Sequence, residues 1–363
     1  MFTAPDSLWM AQALQLAERG LYTTSPNPRV GCVLVRDGSV VGEGWHERAG
    51  EPHAEVHALR AAGEAARGAT AYVTLEPCSH HGRTPPCADA LIAAGIARVV
   101  VAVLDPNPQV AGQGLAKLRT AGIEAECGLM EAAARDINAG FFARMTRGTP
   151  WLRSKIAASL DGRSALNNGQ SQWITGEAAR MDVQHWRARS CAVLTGIDTV
   201  LADDPQLNVR KLDTPRQPLR VVLDSRLRIP RTARILIGGN VLIYTAVHDT
   251  EKVAALEQTG ASVSMLPDAN EQVDLTAMLK DLAKRGCNEV LVEAGNTLNG
   301  ALLQAGLVDE LVLYLAPQLL GDMAQGIAKL GELVSLDQRI NLDWLDTRQV
   351  GKDLRIVAKI RKD

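Results

Sequence analysis

The stretch from Pro52 to Cys87 constrains this chain more than any other part of its sequence. It contains His53, Glu55 two residues later, and then the thiols of Cys78 and Cys87. A catalytic zinc ion takes three protein ligands of nitrogen or sulfur type and keeps a fourth position open for water. We therefore predict that His53, Cys78 and Cys87 bind Zn²⁺ and that Glu55 transfers protons as the catalytic acid–base group.

The order of these groups is typical of zinc-dependent nucleobase deaminases, whose signature is H-x-E followed by P-C-x-x-C. The H-x-E part of this signature is intact, but eight residues rather than two separate the cysteines. The pattern predicts a short buried strand over residues 71–75. It also predicts helices that begin at Pro52 and Pro86, with each proline at the first helical position. A thiolate at such a helix start is stabilised by free N–H groups and by the helix dipole.

A structural zinc site is the alternative interpretation of the same motif. It would require a fourth protein ligand, for which His57, His80 and His81 are candidates. The carboxylate of Glu55 and the strand–helix setting favour the catalytic interpretation.

Length and composition limit what the rest of the chain can be. The 363 residues predict two domains, and a net charge of −2 gives no field that would attract nucleic acid. Aromatic residues make up only 4% of the chain, too few for a base-stacking surface. We find no apolar run long enough to span a membrane and no signal-peptide pattern, so we expect a cytoplasmic protein.

The first half alternates between predicted strands and helices, which indicates a sheet covered on both faces. The spacing predicts a first helix over residues 6–19 with Asp6 or Ser7 as its cap, a hairpin over residues 30–45, and one helix through residues 131–145. Asn27 and His46 lie at the edges of the hairpin. Either could bind the edge of a pyrimidine, although an Asn between two prolines could equally serve the turn.

A second α/β unit is predicted to begin near residues 147–150, where the pattern changes. Within it, a strand over residues 288–295 carries Glu293 near its end and leads through Gly295 into a helix. A helix start of this kind can bind a nucleotide phosphate, and ligands of open α/β sheets lie at the carboxyl ends of strands. The turn matches neither the G-x-G-x-x-G fingerprint nor a P-loop, so a packing role for Gly295 is the alternative.

The motifs of the first half resemble those of bacterial bifunctional riboflavin-biosynthesis proteins. The resemblance is carried by the run over residues 24–33, by the H-A-E-V-H-A segment and by the long P-C-S-H-H-G-R-T-P-P-C loop. In that family a pyrimidine deaminase is fused to a pyrimidine reductase. The resemblance implies that His53, Cys78 and Cys87 are zinc ligands, that Glu55 is the proton shuttle, and that the fold is the three-layer α/β fold of cytidine deaminases.

The second half is similar to the reductase half of the same family, which has a dihydrofolate-reductase-like α/β fold and uses NADPH. The matching segments are K-I-A-A-S-L-D-G-R, S-Q-W-I-T-G, T-V-L-A-D-D-P-Q-L-N-V-R and V-E-A-G-N-T-L-N-G-A-L. By this resemblance, the cofactor would contact Ala157, Trp173, Thr199, Asp203, Gly295, Asn296, Thr297, Leu298, Asn299, Gly300 and Ala301. The substrate would be held by Ser171, Arg187, Leu207, Arg210 and Glu293. Residues 231–284 contain no motif that anchors the resemblance, and no role is predicted for Lys155.

These observations predict one polypeptide with a zinc-dependent deaminase domain over residues 1–148 and an NADPH-dependent reductase domain over residues 149–363. Its substrate would be a small phosphoribosylaminopyrimidine, deaminated first and then reduced from ribosyl to ribityl, with no nucleic-acid or membrane partner. We also expect a homo-oligomer, either a dimer or a tetramer. The rival interpretations are a nucleoside or tRNA deaminase with an unrelated second domain, and a silent zinc-stabilised binding module.

Overall fold

The computed structural model of the protein describes residues 2–79, 86–108 and 110–362. The chain divides into two compact units, Met1–Gly148 and Thr149–Asp363. Within the described residues, no helix combines the length and the hydropathy that crossing a membrane requires.

Unit 1 is built around one five-stranded sheet. Its strands are β1 (Gly31–Arg36), β2 (Ser39–Trp45), β3 (Thr70–Val73), β4 (Arg98–Val101) and β5 (Glu124–Cys127). Their order is β2-β1-β3-β4-β5. β1 pairs antiparallel with β2 and β3, whereas β3, β4 and β5 are parallel. The helices are α1 (Ala4–Glu18), α2 (Ala54–Ala62), α3 (Cys87–Ala93), α4 (Gln113–Thr120), α5 (Glu131–Ile137) and α6 (Ala139–Arg147).

Helices cover both faces of this sheet, as the alternation of elements predicts. Cys32 and Leu34 pack into a core with α2, α3 and α4. The intervening Val33 and Val35 pack on the opposite face against α1 and α6. This alternation follows from the period of two in a strand, which sends successive side chains to opposite faces. The three-layer α/β fold predicted for the first half is confirmed.

Two details of the first half differ from the sequence prediction. The cap of α1 is Thr3, not Asp6 or Ser7. Asp6 is instead the third residue of the helix and completes a capping box, in which its N–H donates to Thr3 Oγ1 and its carboxylate accepts from the Thr3 N–H. The single helix predicted through residues 131–145 is two helices, because Asn138 interrupts it. The buried Asn138 amide bonds the backbone N–H and carbonyl of Arg29, at 2.8 Å each, which holds its backbone out of helical geometry.

Unit 2 contains a nine-stranded sheet in the order β11-β10-β9-β8-β12-β6-β13-β16-β15. Its strands are β6 (Trp151–Ser159), β8 (Ala192–Gly196), β9 (Leu219–Leu223), β10 (Val241–Thr245), β11 (Ala261–Met265), β12 (Glu289–Val292), β13 (Glu310–Ala316), β15 (Leu342–Val350) and β16 (Asp353–Ile360). The strands from β11 to β13 are parallel, and β16 and β15 add an antiparallel edge. A small separate ribbon pairs β7 (Arg163–Ala165) with β14 (Gln325–Gly326).

Among its described residues, unit 2 has five α-helices: α7 (Glu177–Arg189), α8 (Ile197–Asp203), α9 (Thr250–Glu257), α10 (Leu275–Lys284) and α11 (Asn296–Gln304). Hydrophobic clusters lie on both faces of the sheet. The predicted second α/β unit is therefore confirmed. The stretch without an anchoring motif, residues 231–284, contributes β10, β11, α9 and α10 to the same sheet and its covering layers.

Candidate active sites of the two units

Three elements of unit 1 bring the predicted metal ligands together. His53 is the cap residue of α2, Cys87 is the first residue of α3, and Cys78 follows β3. Their ligand atoms all lie within 4.8 Å of one another. Both predicted helices are present, but they begin at Ala54 and Cys87 and not at the prolines. Pro52 precedes the cap residue and Pro86 is itself the cap, so neither is at the first helical position.

The spacing of these atoms fits zinc. His53 Nδ1 lies 3.7 Å from Cys78 Sγ and 3.3 Å from Cys87 Sγ. Tetrahedral zinc, with bonds of about 2.0–2.1 Å to nitrogen and about 2.3 Å to sulfur, separates such ligands by about 3.6 Å. One imidazole and two thiols are also a donor set that zinc prefers. The site therefore fits the ion in both distance and chemistry.

The surroundings of Cys78 favour its thiolate. Cys87 is the first residue of α3, so its backbone N–H has no partner within the helix, and this N–H donates to Cys78 Sγ at 3.3 Å. Hydrogen bonds from the Cys87 thiol and from the His53 ring lower the pKa of Cys78 to about 4. The hydrogen bond to Cys78 also raises the pKa of His53. A thiol that is deprotonated at neutral pH is ready to bind a cation.

Glu55 lies on the first turn of α2, beside these ligands, and is only 3% exposed. Its Oε2 atom is buried and has no hydrogen-bond partner within the described residues. Burial raises the pKa of Glu55, against the opposing charge of His53. A buried carboxyl oxygen without a protein partner is costly unless another group occupies the site, so Glu55 is suited to receive a proton from a bound water or substrate.

The fourth ligand that a structural zinc site would need does not come from His57. This residue is outside the group of three ligands, although its buried Nε2 also has no hydrogen-bond partner within the described part of the chain. His80 and His81 lie outside the described residues.

Asn27 and His46 form a pair next to the metal ligands. The His46 ring packs edge-on against the His53 ring, with centroids 5.3 Å apart. His46 Nδ1 lies 3.1 Å from the Pro52 carbonyl, and its Nε2 lies 3.1 Å from Asn27 Nδ2. A neutral ring that donates from Nδ1 and accepts at Nε2 satisfies both contacts, and burial lowers the pKa of His46 accordingly. The contact with His46 thus orients the Asn27 amide, and it involves the amide nitrogen and not the amide oxygen.

Unit 2 contains a large cavity of about 1450 Å³ at the carboxyl ends of its parallel strands. It is lined by all five residues predicted to hold the substrate, namely Ser171, Arg187, Leu207, Arg210 and Glu293. It is also lined by ten of the eleven residues predicted to contact the cofactor, namely Ala157, Trp173, Thr199, Asp203, Gly295, Asn296, Thr297, Leu298, Asn299 and Ala301.

Gly300 is the predicted cofactor residue that does not line the cavity. A Cβ added to it would lie 2.1 Å from the Lys329 carbonyl oxygen, so its small size allows α11 to pack against that backbone. Asn299 is almost fully buried, and its amide accepts from the Ser154 hydroxyl at 3.0 Å and donates to the Ala294 and Ile327 carbonyls. The side chain of Asn299 therefore fixes the start of α11.

Two helix starts lie side by side in the cavity. α8 follows β8 and α11 follows β12, and these strands are adjacent and parallel. A Cβ added to Gly295 would lie 3.9 Å from Thr199 Oγ1, which is an ordinary contact. Gly295 has a φ of −74°, so the turn does not need a glycine for its backbone conformation. Gly295 instead leaves space for a ligand beside the backbone N–H groups of the first turn of α11, which have no partner within the helix.

Glu293 is the centre of a charged group on one wall of the cavity. It accepts from Arg187 Nε at 2.5 Å and Nη2 at 3.0 Å, and its Oε2 lies 3.7 Å from Lys155 Nζ. Burial would raise the pKa of Glu293, but the charges of Arg187 and Lys155 lower it to about 2. Burial also lowers the pKa of Lys155. Lys155, for which the sequence predicts no role, is thus part of the site.

A second set of contacts shapes another part of the cavity lining. The Asp203 carboxylate accepts from the Ser171 hydroxyl at 3.2 Å and from the Gln172 amide at 3.1 Å. The Arg180 guanidinium stacks over the exposed Trp173 ring, 4.7 Å from its centre. Arg180 could not be recognised in the sequence, because an arginine on a polar helix face is ordinarily solvated. These contacts hold the segment before α7 against α8.

Known families and structures match both halves of the chain. The family described as the RibD C-terminal domain matches residues 150–356, and the cytidine and deoxycytidylate deaminase zinc-binding region matches residues 3–103. The riboflavin biosynthesis protein RibD of Escherichia coli K12 is 52% identical over 362 residues, which cover 96% of this chain and 98% of the relative.

Solved structures agree with these matches. RibD of Acinetobacter baumannii superimposes with a TM-score of 0.92 at 49% identity and covers 99% of both chains. A diaminohydroxyphosphoribosylaminopyrimidine deaminase/5-amino-6-(5-phosphoribosylamino)uracil reductase from Thermotoga maritima superimposes with a TM-score of 0.86 at 31% identity, covering 98% of this chain and 99% of that one.

Proposed function

The chain belongs to the RibD family of riboflavin-biosynthesis proteins, and from this membership we infer that it is a bifunctional enzyme, a zinc-dependent deaminase and an NADPH-dependent reductase. Its substrate is the 2,5-diamino-6-(5-phosphoribosylamino)pyrimidin-4-one on which this family acts. It loses an amino group as ammonia, and the ribosyl group of the product is then reduced to ribityl. The observation that carries this function is the similarity to RibD proteins over nearly the whole chain.

We assign the deaminase to residues 1–148, with His53, Cys78 and Cys87 holding zinc. When bound, zinc supplies a Lewis acid that activates water at neutral pH. The buried Oε2 of Glu55 accepts a proton from that water and returns one to the departing amine. Asn27, oriented by its contact with His46, offers its amide oxygen to the edge of the pyrimidine ring.

We assign the reductase to residues 149–363, with its cofactor along the starts of α8 and α11 and its substrate near Glu293. NADPH supplies the hydride when it is bound. The chain's own contribution is to position the two ligands: Gly295 and Thr199 border the helix starts that suit a pyrophosphate, and the Glu293–Lys155 pair provides polar contacts to the ribose.

The substrate ends in a phosphate, which we assign to the arginines of the cavity. Arg210 is exposed at the cavity wall, and its Nη1 contacts Gln206. Arg187 binds Glu293 through two nitrogens and the Asn208 carbonyl through the third, so it has fewer N–H groups to offer. We therefore propose that Arg210 contacts the phosphate directly and that Arg187 contributes its remaining N–H groups and charge.

We further propose a homo-oligomer in the cytoplasm. The antiparallel edge strand β15 exposes the large side chains of Trp344 and Leu345, and Val334 and Leu336 lie exposed shortly before it. An edge strand with exposed apolar side chains is suited to pairing with another copy. All six cysteines lie within the described residues and none forms a disulfide. A reducing compartment would keep the thiols of Cys78 and Cys87 able to bind metal.

A comparison of substrates tests the function against its rival. Purified enzyme with one zinc per chain would be given the phosphoribosylaminopyrimidine, free cytidine or a tRNA, each without NADPH, and ammonia would be measured. We expect ammonia from the first substrate alone. Ammonia from cytidine or tRNA at a comparable kcat/KM would favour a nucleoside or tRNA deaminase, and no ammonia from any of them would favour a silent zinc-stabilised module.

A further inference from the structure

Several arginine side chains line the unit 2 cavity. Arg187, Arg210 and Arg234 all line it, although they are far apart in the sequence. Arg234 begins a short 3₁₀ helix in the stretch of residues 231–284 that contains no recognisable motif. Partial burial lowers the pKa of the Arg210 guanidinium, and the nearby charges of Arg187 and Arg234 lower it further. Arg187 and Arg234 therefore both lie close enough to Arg210 to repel it.

The positions of these arginines are fixed by the loop over residues 204–210. The Arg210 N–H donates to the Gln184 side chain at 2.8 Å, and Arg187 Nη1 donates to the Asn208 carbonyl at 3.0 Å. The Arg234 N–H donates to the Asp204 carboxylate at 2.7 Å. Arg187 and Arg234 are thus tied to this loop by hydrogen bonds, and Arg210, at the end of the loop, is tied through its backbone to α7. The backbone contacts of Arg210 and Arg234 leave their guanidinium groups at the cavity.

The carboxylates near this cluster bind other groups and do not pair with the guanidinium groups of Arg210 or Arg234. Glu293 is the carboxylate whose charge acts on Arg210, and Arg187 and Lys155 already bind it. Within the described residues neither Arg210 nor Arg234 forms an ion pair, since Arg210 contacts the neutral Gln206 and Asp204 contacts the backbone of Arg234. Guanidinium groups that lie near one another and form no ion pairs repel each other. A dianion such as phosphate, bound between them, would offset this repulsion.

We propose that Arg234 is the third arginine of the site that binds the phosphate group of the reductase substrate. This assignment rests on the reductase function proposed above and adds a residue that neither the motifs nor the family resemblance identifies. Arg234 would bind phosphate oxygens through its planar guanidinium, opposite Arg210. The binding energy of a phosphate that is remote from the reacting carbon then serves to place the ribose beside the cofactor.

The test compares Arg234→Gln with Arg231→Gln in the full-length enzyme. Arg231 is exposed, lies three residues away and does not line the cavity, so both variants lose the same charge from nearly the same place. NADPH oxidation would be measured with the deaminated substrate and with the same compound lacking its phosphate. We expect Arg234→Gln to lower kcat/KM about tenfold on the phosphorylated substrate and to change it less than twofold on the other.

A second variant and a second kinetic constant distinguish phosphate binding from a structural or cofactor-binding role of Arg234. Arg234→Lys keeps the positive charge but loses the planar guanidinium that can bind two phosphate oxygens, so its kcat/KM should fall between those of the parent and Arg234→Gln. The same variant can be measured if Arg234→Gln does not fold. The KM for NADPH should stay within twofold of the parent. Equal activity of the Arg234→Gln and Arg231→Gln variants, equal losses on both substrates, or a raised KM for NADPH would each overturn the assignment. Failure of the parent itself to oxidise NADPH would instead refute the reductase function.

Discussion

The charged group around Glu293 predicts a stability change that depends on pH. Its carboxylate is 10% exposed and binds Arg187 while Lys155 lies 3.7 Å away, which lowers its pKa from 4.5 to about 2. One pKa unit corresponds to about 1.36 kcal/mol. The ionised form of Glu293 therefore stabilises unit 2 by about 3 kcal/mol relative to the neutral form. Glu293→Gln replaces the carboxylate with a neutral group of the same shape and should remove this contribution at pH 7.

The sign of the pH dependence follows from the direction of the shift. Because the folded-state pKa lies below the unfolded one, the stabilisation is complete above about pH 4.5 and is lost as the pH falls through about 2. The difference between parent and Glu293→Gln should shrink from about 3 kcal/mol at pH 7 to about 1 kcal/mol at pH 3.

Urea unfolding followed by tryptophan fluorescence measures this difference, since unit 2 contains four of the six tryptophans. Glu257→Gln is the matched control. Glu257 is an exposed carboxylate at the end of α9, and its replacement should change the unfolding free energy by less than about 0.5 kcal/mol at either pH. If Glu293→Gln destabilised the protein equally at pH 7 and pH 3, its effect would come from packing, and the electrostatic reasoning would be refuted.

Three further predictions concern the two reactions. Glu55→Gln should keep one zinc per chain and lose about 10²–10⁴ in deamination rate, whereas Cys78→Ser should lose zinc as well; full activity of Glu55→Gln would contradict the proton-transfer role. Separate fragments of residues 1–148 and 149–363 should each fold, the first releasing ammonia and the second oxidising NADPH with deaminated substrate; two insoluble fragments would mean that each unit needs the other. Arg210→Ala should cost about tenfold to a hundredfold in reductase kcat/KM with the phosphorylated substrate, without changing ammonia release, and an equal loss on dephosphorylated substrate would make Arg210 structural.

The sequence alone predicts that His53, Cys78 and Cys87 come together, and the structure does bring them together, because these groups are close in the chain and chemically distinctive. The two helix starts and the strand before Cys78 set the geometry of this site, and each has a local signal. Helix α6 shows the opposite case. Its separation from α5 depends on Asn138 bonding to Arg29, which lies 109 residues away, and no local pattern indicates such a partner.

Some features of the candidate reductase site could not be predicted from sequence motifs. The motifs identified the segments that line the cavity, but the pairing of Arg187 with Glu293 joins residues 106 positions apart and changes what Arg187 can offer to a phosphate. Gly300 belongs to a matching motif, yet it serves packing against Lys329. Arg234 lies where no motif exists, so only the folded chain brings it to the cavity.

The central claim is that one chain carries out two consecutive reactions, and a double measurement tests it most directly. The phosphoribosylaminopyrimidine and NADPH would be added together to the zinc-loaded enzyme, and ammonia and nicotinamide absorbance would be followed in the same reaction. We predict that ammonia appears first, that NADPH oxidation follows after a lag, and that the final amounts are equal. Oxidation of NADPH without ammonia release, or complete ammonia release with no loss of NADPH, would contradict the account.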